Sequence, residues 1–363
     1  MSKVTFQGID KDISPDEFKC KVEELFLTVN NDCSWLQRGD RVLLKPALNS
    51  PHPYPSTSDP VTLHIIADLL IQKGAEVIVG DQSGIGYVLQ DASGKKYGST
   101  ITNFYKSGMS KGSKLKFIAF EDRKWDEGFY NFKTERTQSW EDGFFVTKWI
   151  QEVDHIISLP RLSTHAQSGV TLGFKNMVGV LREDSRIQFH ANGPYASFIR
   201  KLAKGSLLKM EDDKRDSFFE KIVEISLTLH DKLRCTFFTG TKAQTTFGPD
   251  RHVSVGDQGL LPAHIISPET GLLIASSDQI AAEIGALSFL TYLYKQTPWQ
   301  HKSLHKLMIW INGQAKELGK QSVVENPFIK HALSLGIGDP NISATYNDVP
   351  NDIQEFIQKM IVI

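Results

Sequence analysis

The stretch Ile156-Ile-Ser-Leu-Pro160 is apolar and ends at a proline, and it delivers Arg161, Thr164 and His165 to the segment that follows. Ten residues after His165 stands Lys175, next to Asn176, between Gly173-Phe174 and Met177-Val178-Gly179; Arg182, Arg186 and His190 come after. A lysine amid apolar residues either snorkels to solvent or loses hydration, and lost hydration lowers its pKa. A lowered pKa suits a general base, a Schiff base or another covalent role. His165 and Lys175 are therefore the candidate catalytic pair, with Arg161 or Arg182 to bind an anion and Asn176 beside them.

Two other stretches carry polar groups out of strand-like runs. The first follows Lys45-Pro46 and holds Asn49, Ser56, Thr57 and Asp59. Its amides and hydroxyls, followed by a helix start, could hold an anion; equally, it is a proline-stiffened loop whose Asp59 caps the next helix. The second is Gly80-Asp81-Gln82-Ser83-Gly84-Ile85-Gly86, where Asp81 could meet a metal, a ribose hydroxyl or a substrate donor and Ser83 could help bind a substrate or anion. A tight turn built on structural glycines explains the same residues. No Gly-x-Gly-x-x-Gly fingerprint stands there, and no Gly-x4-Gly-Lys-Ser/Thr phosphate loop occurs in the chain. The last third offers Asp250, His252, Asp257 and His264, with Asp278 and Glu283 at a helix start. These could complete a metal or acid/base site, but their spacings match no zinc motif. Asp278 also reads as a helix cap, and Glu283 as an acid favoured by the helix dipole.

The elements that must position these groups are well marked. Ser14-Pro15-Asp16-Glu17 precedes Phe18, Val22, Leu25 and Phe26, the pattern of a capped amphipathic helix. Arg41 to Pro46 reads as a buried strand, Asp59-Pro60 to Gly74 as a helix, and Ala75 to Gly80 as a second strand. Strand, helix and strand make a crossover unit and a sheet that is at least partly parallel. Helix Thr100 to Lys106 and strands Leu115 to Phe120, Phe144 to Ile150 and His155 to Leu159 follow. Pro194 to Leu233 reads as largely helical. Strands at Cys235 to Gly240 and Gly271 to Ala275 come next, then helices at Asp278 to Tyr294 and His301 to Ile311. The expected fold is α/β, a mixed and largely parallel sheet flanked by helices, with two lobes around a cleft. A main domain spans 1–240, and residues 241–363 close the cleft. The polar stretch Lys95 to Gly143 is a candidate flap.

Composition narrows the partners. With 41 lysines and arginines against 42 acids, the net charge of -1 makes no electrostatic case for nucleic acid. No run of about 18 apolar residues offers a membrane span, and the first residues read as a strand, not a signal peptide. The three cysteines, Cys20, Cys33 and Cys235, form no Cys-x-x-Cys pair; reduced thiols, a cytoplasmic location and no iron–sulfur cluster are expected.

Several ordered motifs together resemble the domain of unknown function family 362. They are Val42-Leu-Leu-Lys-Pro46, Ser58-Asp-Pro60, Val79-Gly-Asp-Gln-Ser-Gly84, Leu159-Pro-Arg-Leu-Ser-Thr-His165, Phe174-Lys-Asn-Met-Val-Gly179, Phe247-Gly-Pro249, Ile274-Ala-Ser-Ser-Asp278 and Gly336-Ile-Gly338. The spacing of His165, Lys175 and His190 is also similar to that in the amino-terminal domain of nickel-pincer lactate racemases. That resemblance implies Lys175 as a cofactor anchor, His190 as a metal ligand and His165 as an acid/base.

The leading expectation is an enzyme acting on a small carboxylate-bearing molecule by proton transfer, of isomerase, racemase or lyase type, with a divalent metal as an open candidate cofactor. The alternative is a non-catalytic protein that binds a metal, a cofactor or a peptide.

Overall fold

The computed structural model describes residues 2–91, 93–190, 217–229, 231–255, 258–312, 315–320 and 322–361. Most of the Pro194 to Leu233 segment, and Asp257, lie outside these residues. Eight strands form the main sheet: β1 (Ser2–Asp10), β2 (Arg41–Pro46), β3 (Glu76–Asp81), β4 (Lys116–Ala119), β5 (His155–Leu159), β6 (Leu233–Gly240), β7 (Thr270–Ser276) and β8 (Ile342–Asn347). Their spatial order is β8-β1-β7-β6-β5-β2-β3-β4. β7 runs antiparallel to its neighbours β1 and β6, and the other adjacent pairs are parallel. The expected segments 1–240 and 241–363 meet in this one sheet, since β7 and β8 come from the second.

The strands read as continuous apolar runs because both faces of the sheet are covered. Successive side chains point to opposite faces. Val42, Leu44, Ile157, Phe237 and Leu273 accordingly join one apolar cluster, and Leu43, Ile156, Phe238, Leu272 and Ile274 the other. Helices α1 (Pro15–Val29) and α2 (Pro60–Gln72) supply Val22, Phe26, Leu63 and Ile66 to the first cluster. Helices α4 (Gln279–Gln296) and α5 (Asn351–Ile361) supply Ile284, Phe289, Ile353 and Ile357 to the second; α3 (Glu183–His190) precedes them in the chain. No helix among the described residues is long and apolar enough to cross a membrane.

The caps are those the sequence marks. The Ser14 hydroxyl accepts the Glu17 N–H, and the Asp59 carboxylate accepts the N–H and hydroxyl of Thr62 at 3.0 and 2.8 Å. Gly74 ends α2 at φ 98°, a left-handed conformation that glycine adopts without a steric penalty. Within Lys95 to Gly143 lie a helix at Thr100–Lys106, β4, and a strand at Phe129–Phe132 that pairs with Phe144–Thr147.

What matters for function is the order of the central strands. From β2 the chain moves outward to β3 and β4, then returns to place β5 on the other side of β2. The loops after β2 and β5 therefore leave the sheet in opposite directions, and the crevice between them is where open α/β sheets receive ligands. Replacing the α2 cap, Asp59→Ala, is expected to cost about 1 kcal/mol. A urea titration would read this as a lower midpoint with unchanged slope.

Candidate functional site

The carboxyl edge of the sheet carries a buried ion pair. Lys45 near the end of β2 meets Asp81 at the end of β3, Nζ to Oδ1 at 2.8 Å. The same ammonium donates to the Pro46 carbonyl at 2.7 Å and to Asn176 Oδ1 at 3.1 Å. An ammonium has three protons, and all three are used, so Lys45 has none left for a ligand. Burial lowers its pKa, and Asp81 opposes that shift. Asp81 in turn accepts the N–H of Leu48 and of Gln82, each at 2.8 Å, which ties the loops after β2 and β3 to one carboxylate. Gly179 lies against this pair. A Cβ there would sit 2.0 Å from Asp81 Oδ1 and 2.9 Å from Lys45 Nζ.

Asn176 locks the next segment to the strand ends. Its amide donates to the Lys45 carbonyl at 3.0 Å and to Ser158 Oγ at 3.1 Å. The short hairpin Ser163–His165 with Gly169–Thr171 precedes it, and a single helical turn, Gly173–Asn176, carries both Lys175 and Asn176. Lys175 is thereby held at the wall of an open pocket with an empty volume of about 440 Å3, shared with Asn49, Asp81, Arg161, His165 and Arg186.

The pocket is cationic, and its cations are unusual. Arg161 is wholly buried; its guanidinium donates to the carbonyls of Ser56 and Pro249, while Nε has no partner among the described residues. Burial lowers its pKa to about 10, against the opposing charge of Asp250. Asp250 also holds Asn49 Nδ2 at 2.8 Å. Arg186, on α3, is buried with Nε and Nη1 unpartnered among the described residues. Glu183, Asp81 and Glu121 offset the cost of burying its charge. Glu183, one turn earlier, accepts from the Gln82 side chain and the Gln90 N–H, and burial raises its pKa to about 8.

Between these charges the Lys175 amine has its pKa lowered to about 7, first by desolvation and then by Arg186 and Arg161. It also lies 5.8 Å from the centre of the Phe218 ring. His165 is buried, and its Nδ1 accepts the N–H groups of Gln167 and Ser168 at 3.0 and 3.2 Å. The ring proton therefore sits on Nε2. Burial, followed by the charge of Lys175, drives its pKa well below the ordinary value, so the imidazole is neutral at physiological pH.

The other expected residues fall elsewhere. Arg182 is held by Asp184 through Nε and Nη2 at 3.0 and 2.6 Å, between the rings of Trp125 and Phe145, and does not line the pocket. The Thr57 hydroxyl donates to the His52 carbonyl, and the Ser83 hydroxyl accepts from Asn103; both are buried away from the pocket. Asp278 caps α4 by accepting the Ala281 N–H at 2.8 Å. His264 stacks on His301 outside the pocket. The His252 side chain lies outside the described residues. Arg186 is the functional candidate that sequence reasoning left without a role. Its place three residues after Glu183 and four before His190 puts the three on one helix face, and that was the available signal.

The nickel-pincer group implied by the racemase resemblance fits these residues poorly. His190 Nδ1 donates to the Arg186 carbonyl at 2.6 Å, which leaves Nε2 with a lone pair, but His165 has no lone pair to offer. Among the described residues no group of three or more His, Cys, Asp or Glu side chains is placed to hold a metal.

A protein-family model, the Domain of unknown function (DUF362), matches residues 42–288. The chain belongs to that family. A search of curated proteins finds no match.

Removing one member of the strand-end pair leaves the other charge buried alone. Lys45→Met is expected to destabilise the protein by about 3–5 kcal/mol. Adding Asp81→Leu should recover part of that loss in the same denaturation experiment.

Proposed function

We propose that this pocket binds a small carboxylate-bearing molecule and moves a proton at the carbon beside the carboxylate. The observation that carries the reading is the set of buried N–H groups on Arg161 and Arg186, unpartnered among the described residues, around the Lys175 amine. A buried guanidinium with unmade hydrogen bonds costs stability unless a ligand or water completes it. A carboxylate does so with charge-assisted bonds.

The chemistry follows from the protonation states. Lys175, with a pKa of about 7, is largely a neutral amine just above that pH and accepts the proton. The C–H bond breaks, an N–H bond forms on Lys175, and the electron pair moves into the carboxylate as an enediolate. Arg161 and Arg186 stabilise the added charge, and the Nε2–H of neutral His165 donates to it. The proton returns from Lys175 to a different position, or the electron pair expels a leaving group on the next carbon. One base and one neutral donor favour isomerisation or elimination over a racemisation that uses two bases.

The test is exchange of solvent deuterium into a panel of 2-hydroxy, 2-amino and dicarboxylic acids, followed by NMR. The rate should rise with pH through about 7 and then level, because the deprotonated amine is the active form. Lys175→Met is expected to lower it by about 10²- to 10⁴-fold. Separately, Arg186→Met should weaken carboxylate binding by about 10- to 100-fold in calorimetry, the loss of one or two charge-assisted hydrogen bonds. Binding that survives without exchange would favour the non-catalytic reading. Binding or exchange that ignores these substitutions would sink the site.

A further inference from the structure

One buried carboxylate in the second apolar cluster is not used by the mechanism above. Glu283 lies in the second turn of α4, is 2% exposed, and sits among Ile280, Ile284 and Leu287. Its Oε2 accepts the Phe174 N–H at 3.2 Å, and the Gly173 N–H is its other donor. No cation partners it among the described residues. These two N–H groups belong to the first turn of Gly173–Asn176, which has no side-chain cap of its own. Such N–H groups have no partner within their own helix and must be satisfied from outside. The next two residues are Lys175 and Asn176.

Gly173 makes the contact possible. A Cβ at this position would stand 2.8 Å from Glu283 Oε2, so any side chain displaces the carboxylate. The turn is thus pinned at two points. Asn176 ties its end to β2 and β5, and Glu283 ties its start to α4. Lys175 lies between the two pins, and its position beside Arg161 and Arg186 depends on both.

We propose that Glu283 is a positioning residue for Lys175: by accepting the Gly173 and Phe174 N–H groups it fixes the turn that holds the amine in the desolvated pocket. This rests on Lys175 being the reactive amine. Burial raises the Glu283 pKa to about 8. A neutral carboxyl still offers its carbonyl oxygen, so the anchor does not depend on ionisation.

The test needs no substrate. Acetic anhydride labels Lys175 in the free protein, and mass spectrometry gives the pH of half-reactivity in the wild type, Glu283→Ala and Glu283→Gln. Amide exchange is followed at residues 173–176 in the same proteins. In Glu283→Ala the half-reactivity pH is expected to rise by at least about one unit towards the ordinary lysine value of 10.5, as the freed amine gains water. Protection of the Phe174 amide should fall by about tenfold or more. Glu283→Gln keeps an acceptor oxygen and should stay within about half a unit of the wild type. If Glu283→Ala fails to fold, Gly173→Ala is expected to produce the same rise by displacing the carboxylate. A folded Glu283→Ala or Gly173→Ala in which Lys175 titrates as in the wild type overturns the proposal. A wild-type Lys175 already titrating near 10.5 sinks the base of the preceding subsection instead, and the Glu283 anchor is then decided by exchange at Phe174 alone.

Discussion

The ion pair between Lys45 and Asp81 joins neighbouring parallel strands at the edge where the chain must leave the sheet. Neither charge could remain there alone, because removal from water costs several kcal/mol per ion unless the geometry returns it. The geometry returns it through five contacts: the pair itself, two further acceptors around the ammonium and two further donors on the carboxylate. Those contacts reach into the loop after β2, the loop after β3 and the turn that bears Asn176. A single buried pair thus sets the floor of the pocket, and Gly179 has no side chain because the pair occupies that space.

Electrostatics above that floor follow from the same economy of water. Arg161, Arg186 and Lys175 share a small volume from which solvent is partly excluded, and they repel. Two of the three are guanidiniums, which keep their charge, so the amine yields and its pKa falls. Asp250 and Glu183 moderate the field without cancelling it: Asp250 faces Arg161, and Glu183, its pKa raised by burial, answers Arg186 only in part. The result is a pocket rich in buried cations in which the lysine is shifted towards its neutral form. His165 is neutral as well, its lone pair given to two backbone amides and its proton left to donate.

Much of the scaffold was legible in the sequence. Ser14-Pro15 and Asp59-Pro60 announce helices because a capping oxygen and a fixed proline φ are local physics, and the structure caps both helices there. Apolar runs such as Val42 to Leu44 and Ile156-Ile157 announce strands buried on both faces. The cluster of Arg161, His165, Lys175 and Asn176 was visible as polar residues embedded in apolar sequence, and these residues line the pocket. Lys45 and Asp81 were visible as charges at strand ends, but not their commitment to each other, since they stand 36 residues apart. Arg182 and Arg186 look alike in sequence. Only the side chain of Asp184 and the rings of Trp125 and Phe145 decide that the first is satisfied locally.

What the sequence determined by itself is therefore what short-range rules govern: caps, turns, buried strands, the parallel crossover and the segment whose polar residues line the pocket. What the tertiary structure decided is which charges have partners. Strand order brought β5 beside β2 and opened the crevice, the hairpin after β5 turned His165 inward with its tautomer chosen, and α4 brought Glu283 against Gly173. The first and the last of these depend on hydrogen bonds across more than a hundred residues of chain, and the imidazole, whose tautomer two neighbouring amides choose, owes its lowered pKa to the burial that the assembled fold supplies. A side chain's pKa and its remaining donors are properties of that assembled surrounding, and no local pattern of residues carries them.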